Sequence, residues 1–397
     1  MRPARASAVL AAVLALGWGG VVASSAAGEP AAQGARLQVY ELVRTLVVLQ
    51  NRVVAGDQRA HSSQRALLDH IAGVIKETPE EDWKDVRNVR AVITFALGGG
   101  DPKVVRPILG KLTGDEQYNT IAEAAVLYAE GQQREARKLL EKIEPRRLET
   151  SLGGHVALIK AVLRNGADRV GALASLEDAI LLSPGTIVEE AALRRAIPIA
   201  GRMRDFKKFA YYLSRYMRRF GASIYAPSLM PQVAVVIAVN HFVSSPEQLA
   251  ELEKAMAPAQ PQMAQEFYLM LAQTGVAEGD KELVRFASER AQKLSEQNSV
   301  DGVRAKLYGA AVMVASEDMD EGLARLMSIE KSRLERADVE VVDAAFEVAT
   351  QVRRWPQGSE DLDEAALEAF AANQPSQAVE RAKETLANID SVLQELD

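Results

Sequence analysis

Apolar residues recur at steps of three and four along almost the whole of this chain, and no alternating run bounded by hairpin turns interrupts them. Leu42, Val43, Leu46, Val47, Leu49 and Val53 form one such stripe; Ala136, Leu139, Leu140 and Ile143 form another. A stripe with helical period lies on one face of a helix but would be split between the two faces of a strand, so the chain is predicted to be all-α. Many of the helices are short and end in Gly, Asp or Pro signals, at Gly56-Asp57, Gly98 to Pro102, Gly131, Gly166 to Asp168, Gly201 and Gly279-Asp280. Gly98, Gly131, Gly166 and Gly201 stand 33, 35 and 35 residues apart. Helical hairpins of the tetratricopeptide type produce that period, because each pair must stack on its neighbours to bury its apolar face. Tyr128-Ala129-Glu130-Gly131, followed by Ala136 and Leu140, reads as one such unit, and the others lack the full consensus. The expected architecture is a degenerate helical-hairpin, tetratricopeptide-like repeat solenoid with a C-terminal helix.

The first residues read as an address rather than as structure. Arg2 and Arg5 precede an apolar run from Ala8 to Val22, and small residues follow from Ala23 to Ala27. This is the pattern of a cleavable secretory signal over residues 1–27; a membrane anchor needs about 20 continuous apolar residues. No later run approaches that length, since Val233 to Val239 is only seven residues. The mature product is expected to be exported and soluble. An N-terminal helical-repeat region is expected over 37–225, a continuing helical region over 226–355 and an acidic helical segment over 356–397. Pro227 and Pro231 are expected to interrupt the chain after Tyr225, and Pro258 and Pro261 to separate two helices. Trp355-Pro356-Gln357-Gly358 is the one break that reads as a domain boundary. Beyond it, Val379, Ala382, Leu386, Ile389, Leu393 and Leu396 make an a/d seam of fewer than three heptads. So short a seam suits a capping helix better than an intermolecular coiled coil.

The sequence holds little that resembles catalytic chemistry. There is no cysteine among the 397 residues, which removes thiol nucleophiles and thiolate metal sites. The histidines at 61, 70, 155 and 241 form no H-E-x-x-H pair, and no G-x-S-x-G elbow occurs. Gly110-Lys111 is followed by Leu112 where a phosphate loop needs Ser or Thr, so Gly98 to Gly100 read as a helix cap and turn. Ser316, Asp318 and Asp320 resemble the start of a calcium loop, but its Gly is displaced to Gly322 and Met327 stands where the closing Glu is required. Paired carboxylates such as Glu80-Glu81, Glu189-Glu190 and Glu317-Asp318 are what acidic helix faces supply. Lytic transglycosylases share an exported helical body, but their E-S and G-L-M-Q signatures are absent. No catalytic, cofactor-binding or metal-binding residue is assigned, and no cofactor is expected.

Charge is the most distinctive local feature. The chain is net −7 overall, which gives no general attraction to nucleic acid. Yet Arg194 to Arg219 holds nine basic residues against Asp205 alone, while Glu317 to Asp397 holds 20 acids against eight bases. Phe206, Phe209, Leu213, Tyr216, Met217 and Phe220 make a helical apolar stripe through the basic stretch, so the aromatics are expected in the core and the basic residues in solvent. Such a face either pairs with the chain's own acids or receives an acidic protein partner. The candidate partner-binding residues are Arg194, Arg195, Arg204, Lys207, Lys208, Arg215, Arg218 and Arg219.

Four stretches carry a resemblance: Tyr40 to Asp57 (YELVRTLVVLQNRVVAGD), Arg87 to Asp101 (RNVRAVITFALGGGD), Ser183 to Ile197 (SPGTIVEEAALRRAI) and Tyr212 to Ala226 (YLSRYMRRFGASIYA). They are similar to the chemotaxis protein MotC family of alphaproteobacteria, from about Val39 to Pro227 and more faintly beyond. The resemblance implies a periplasmic accessory protein of the flagellar motor, not an enzyme. Such a protein associates with the periplasmic part of the stator protein MotB and is needed for flagellar rotation, motility and chemotaxis. It assigns no contact residues. The alternatives are another periplasmic helical-repeat adaptor or chaperone and, after it, a cell-wall lytic enzyme.

Overall fold

The computed structural model describes residues 37–354 apart from 113–114, 165, 167, 297 and 317. The expected signal at 1–27, the expected break at Trp355 and the acidic segment at 356–397, expected to be helical, lie outside the described residues. Within them there are 17 α-helices, four short 3-10 turns and no strand. In order they are α1 (Val39–Val54), α2 (Gln58–Glu77), α3 (Val86–Leu97), α4 (Pro102–Val105), α5 (Glu116–Ala129) and α6 (Gln133–Leu140). Next come α7 (Thr150–Arg164), α8 (Arg169–Leu182), α9 (Ile187–Arg202), α10 (Phe206–Phe220), α11 (Ala226–Asn240) and α12 (Pro246–Met256). The series ends with α13 (Pro261–Glu278), α14 (Lys281–Leu294), α15 (Val300–Val314), α16 (Met319–Met327) and α17 (Arg336–Arg354).

Each helix packs chiefly on those one or two places away in sequence: α5 on α6, α7 on α8, α8 on α9, α9 on α10 and α11, α13 on α14, and α15 on α16 and α17. That is the nearest-neighbour pattern of stacked helical repeats. Two contacts depart from it: α3 also packs against α7, and α1 against α9. The buried apolar residues form two clusters. Trp83, Leu46, Ile71 and Phe95 belong to the first, Leu193, Phe209, Tyr216 and Phe267 to the second. α7 divides them, presenting Leu152, Val156 and Ile159 to the first and Ala157 and Ala161 to the second.

The residues expected to end helices divide into two roles. Gly98 caps α3, and Gly131 and Gly279 take left-handed backbones, at φ of 81° and 70°, just past α5 and α13. The aspartates that follow such glycines instead start the next helix: Asp57, Asp101, Asp168 and Asp280 each accept a hydrogen bond from a first-turn amide. A Gly-Asp pair is thus a stop followed by a start. The backbone amide of Ala60 and the Arg52 side chain hold the Asp57 carboxyl below the usual carboxylate range. Gly201 is no turn at all. It lies buried in the last turn of α9, where an added Cβ would come within 2.2 Å of Val236 on α11, so it permits close helix packing; Arg204 makes the turn instead, at φ 55°. Pro231 likewise does not interrupt the chain but sits inside α11, with Pro227 in that helix's first turn, where its missing N–H costs no hydrogen bond. Pro258 does lie between α12 and α13, and Pro261 is the first residue of α13, so together they separate the two helices.

His155 gives the fold a pH dependence. Its ring is buried in α7, and Nδ1–H donates to the Ser151 carbonyl at 2.8 Å. Burial holds its pKa below the usual histidine value, against the opposing pull of Ser151 and Glu149. The unfolded chain therefore takes up this proton first, so the contribution is complete above about pH 6.5 and is lost as pH falls from there through the depressed folded value. The urea midpoint of the wild type is expected to drop between pH 7.5 and 5.5 by more than that of His155→Gln. Equal drops would show that His155 does not titrate on unfolding.

Candidate interaction surface

α9 and α10 carry the basic stretch, and a threonine and an aspartate set where they begin. Thr186 caps α9 through the Glu189 amide, and Asp205 caps α10 through the Lys208 amide at 3.0 Å. As expected, Phe209, Leu213, Tyr216, Met217 and Phe220 are buried on the inner face of α10, while Phe206, at its start, is only partly buried against the same core. The basic residues are not uniformly in solvent, however. Arg194, Arg195 and Arg215 are half-buried, because acids and carbonyls on neighbouring turns draw them inward.

Two fully buried glutamates at the start of α9 organise this. Glu189 accepts from Arg215 Nε at 2.7 Å through Oε1 and from the Gly185 amide at 2.5 Å through Oε2, and it ion-pairs with Arg219 at 3.4 Å. Glu190 accepts on Oε1 from the Tyr216 hydroxyl at 2.8 Å and from Arg194 Nε at 3.2 Å, while its Oε2 has no partner. Burial, and then the Glu190 carboxylate, pushes the Tyr216 phenol far above its usual pKa and keeps it a hydrogen-bond donor. Burial works against the charge of Arg215, but hydrogen bonds to Tyr211 and Glu189 outweigh it and raise its pKa. The Arg194 guanidinium also lies over the Tyr225 ring, 5.0 Å from its centre.

The remaining candidates have different surroundings. Arg195 donates to the Ala191 carbonyl at 3.3 Å, and burial, followed by the nearby Arg194, lowers its pKa. Arg204 reaches away from the face and caps the end of α11 through the Asn240 and His241 carbonyls. Lys208 donates to Glu177 of α8 at 2.9 Å, and the same carboxylate oxygen receives the Tyr212 hydroxyl at 2.5 Å. Although burial alone would raise the Glu177 pKa, Tyr212 and Lys208 bring it below the ordinary range. Arg218 donates to Ser214, one turn back on the same helix, at 2.7 Å. Lys207, Lys208, Arg218 and Arg219 are exposed, with the 54% exposed Tyr211 among them. The structure thus sorts the eight candidates into three half-buried arginines, Arg204 turned to the end of α11, and an outward face of Lys207, Lys208, Arg218 and Arg219. Sequence reading identified Glu189-Glu190 only as a carboxylate pair, since nothing local reveals that their partners lie 26 residues on.

The four stretches quoted for their resemblance meet here and in the adjoining helices. Tyr40 N–H donates to Asn88 at 3.1 Å, Arg87 lies 4.3 Å above the Tyr40 ring, and Gln50 donates to the Gly98 carbonyl at 3.0 Å. Asn51 of α1 accepts from the Ile187 amide of α9 at 3.0 Å. Gly56, at φ 96°, sits so close to Ala222 that a Cβ would lie 2.7 Å from its carbonyl oxygen. A cleft of about 190 Å³ opens at this junction, lined by Asn51, Val54, Ala55, Gly185, Arg219 and Phe220. Among the described residues no three His, Asp or Glu side chains gather as a metal-binding group, and no helix is long and apolar enough to cross a membrane.

Stacked helices carrying a basic face on a buried acidic pair define an all-helical protein of the repeat type. The chain belongs to the MotC family: the family described as Chemotaxis protein MotC matches it over residues 1–397. A relative named Chemotaxis protein MotC, from Rhizobium meliloti (strain 1021), is 29% identical over 347 residues, covering 85% of this chain and 79% of the relative. No solved structure matches the chain. Family membership makes this a chemotaxis- and motility-related protein.

Proposed function

We propose that the protein is a non-enzymatic accessory of the flagellar motor, working in the periplasm, that binds the periplasmic part of the stator protein MotB and is required for rotation. The whole-chain family match carries this reading. The signal-like N-terminus supports the location, and the outward face of α10 supports a charged docking surface. The structure refines which residues to test. Arg194, Arg195 and Arg215 are half-buried, and Lys208 is tied to Glu177, so Lys207 and Arg218 can be reversed with the least damage to the fold.

Surface charges contribute roughly 0–1 kcal/mol to stability but steer association and set specificity. Lys207→Glu with Arg218→Glu is therefore expected to leave the unfolding midpoint within about 2 °C of wild type. Co-purification with the periplasmic part of MotB is expected to fall about tenfold or more, and swimming to be lost in a deletion strain carrying the variant. Normal capture and swimming by the folded double variant would remove this face from the docking surface. Failure of the wild-type protein to capture that part of MotB would overturn the partner assignment.

A further inference from the structure

A second cleft, of about 130 Å³, opens where the ends of α6 and α7 meet the start of α8. Arg137, Lys160 and Arg164 line it together with Glu141 and Asp168, and Leu140 and Leu163 supply its apolar wall. The volume equals that of about four waters, so it admits the head of a small ligand and not a length of chain. None of the candidate docking residues lines it.

Among the described residues, none of these three cations has a carboxylate within ion-pair distance. Lys160, only 8% exposed, donates instead to the carbonyls of Ile143 at 2.5 Å and Glu141 at 3.3 Å. An ammonium carries three N–H donors, so one is left over on a buried side chain that faces the cleft. Burial, and after it the charge of Arg164, holds the Lys160 pKa below the usual lysine value. Arg164 donates to the Gly171 carbonyl at 3.4 Å and the Ser175 hydroxyl at 2.9 Å. Nearby acids are engaged elsewhere: Asp178 pairs with Arg146, Glu144 with Arg147, and Asp168 accepts the Gly171 amide that starts α8. A buried cation without a counter-charge is costly, and a carboxylate brought by a ligand would offset that cost.

Glu141 is the exception among the acids. It stands four residues after Arg137, the spacing at which helix neighbours pair, yet among the described residues the two form no ion pair. Its exposed carboxylate is left at the mouth of the cleft, while the buried Lys160 stands at the floor. A plain anion would meet Glu141 and a plain cation would meet Lys160 and the arginines, so the wall matches a ligand that carries both charges on one small body.

We propose that this cleft binds a small zwitterion of the α-amino acid class, its carboxylate held by Lys160, Arg164 and Arg137, its ammonium by Glu141, and its short apolar side chain against Leu140 and Leu163. Such a ligand fits only where the three helix ends are assembled, so occupancy also stabilises the folded chain.

Isothermal titration calorimetry of the full mature chain tests this with three probes of similar size. They are L-alanine, L-alaninamide, which lacks the negative charge, and L-lactate, which has a hydroxyl in place of the ammonium. Alanine is expected to bind with a Kd of about 1 mM or tighter, and each analogue about tenfold or more weakly. Glu141→Gln is expected to remove the preference for alanine over lactate without weakening lactate. Lys160→Met is expected to weaken both by about tenfold or more. Because Lys160 also holds the carbonyls at the end of α6, the exposed Arg137→Gln serves as a second variant, weakening both ligands with an unchanged circular-dichroism spectrum and unfolding midpoint. Failure of the folded wild type to bind alanine would overturn the inference. Alaninamide or lactate binding as tightly as alanine would do so by making the cleft a plain ion site. Alanine binding that survives both Glu141→Gln and Arg137→Gln would do so by placing the ligand elsewhere.

Discussion

Replacing Glu189 by alanine is expected to lower the stability of the folded chain by about 3 kcal/mol, the low end of the cost of removing one member of a buried ion pair. The carboxylate is 0% exposed and holds three groups at once: Arg215, Arg219 and the Gly185 amide. Its loss leaves the amide without its acceptor and the Arg215 guanidinium half-buried without its charge partner. Two features keep the cost at the low end. The Arg215 side chain retains 22% of its accessibility and can turn toward water, and Arg219, at 43%, contributes little in any case. Glu189→Gln keeps the shape and an acceptor oxygen and is expected to cost less than half as much. Urea unfolding of the two variants measures the difference, and a loss below about 1 kcal/mol for alanine would mean that the pair is merely tolerated. A double-mutant cycle with Arg215→Ala isolates the pairwise part.

Phe209→Ala is expected to be at least as damaging, at about 3–5 kcal/mol, the range for emptying an aromatic site in a packed core. Phe209 is fully buried, and its ring meets Phe242 edge-on, with centres 5.2 Å apart. It also lies beside Gly201, where Val236 and Phe242 crowd the same point. Phe209 shares a helix with Lys207 and Lys208 but faces the opposite way. The variant is therefore expected to reduce the amount of folded protein while each folded molecule still captures its partner normally. Charge reversal at Lys207 and Arg218 has the opposite signature, and the pair of variants separates a failure of folding from a failure of docking. Stability within about 1 kcal/mol of wild type for Phe209→Ala would show that α10 is not packed as described.

Helical character was legible because it is a local property. Leu42, Val43, Leu46 and Val53 fall on one face by spacing alone, and all four are buried. Ala136, Leu140 and Ile143 behave the same way. The roles of single residues were less legible where they depend on something distant. Gly201 and Gly131 look alike in the chain, yet one is a turn and the other a contact surface for a helix that begins 25 residues later. The aspartate after a glycine reads as part of a stop signal, and only the hydrogen bonds to the following turn reveal it as a start. The charge of the 194–219 stretch is correct as a sum but misleading as a surface, because Glu177, Glu189 and Glu190 lie outside the run and their carboxylates bind back into it. Counting charges along a segment cannot register neutralisation supplied by the helix next door.

The hydrogen bond from the Ile187 amide to Asn51 joins residues 136 positions apart in a fold whose other contacts are mostly between neighbours. An open array of repeats can unravel from either end, one unit at a time, since each unit is held only by the next. Here the first helix is fastened to the ninth by that bond, and the turn after α1 fits closely on Ala222 just past α10, so the units between them form a closed circuit. None can loosen without loading the others, and the N-terminal end loses the freedom to fray that a terminal repeat would ordinarily have. The fastening also carries a kinetic cost, because it can close only after the intervening helices have formed and brought its two sides together. The α1–α9 fastening should therefore form late, and the stretch it closes should open as a unit, while the repeats beyond α10 remain free to exchange their amides one layer at a time.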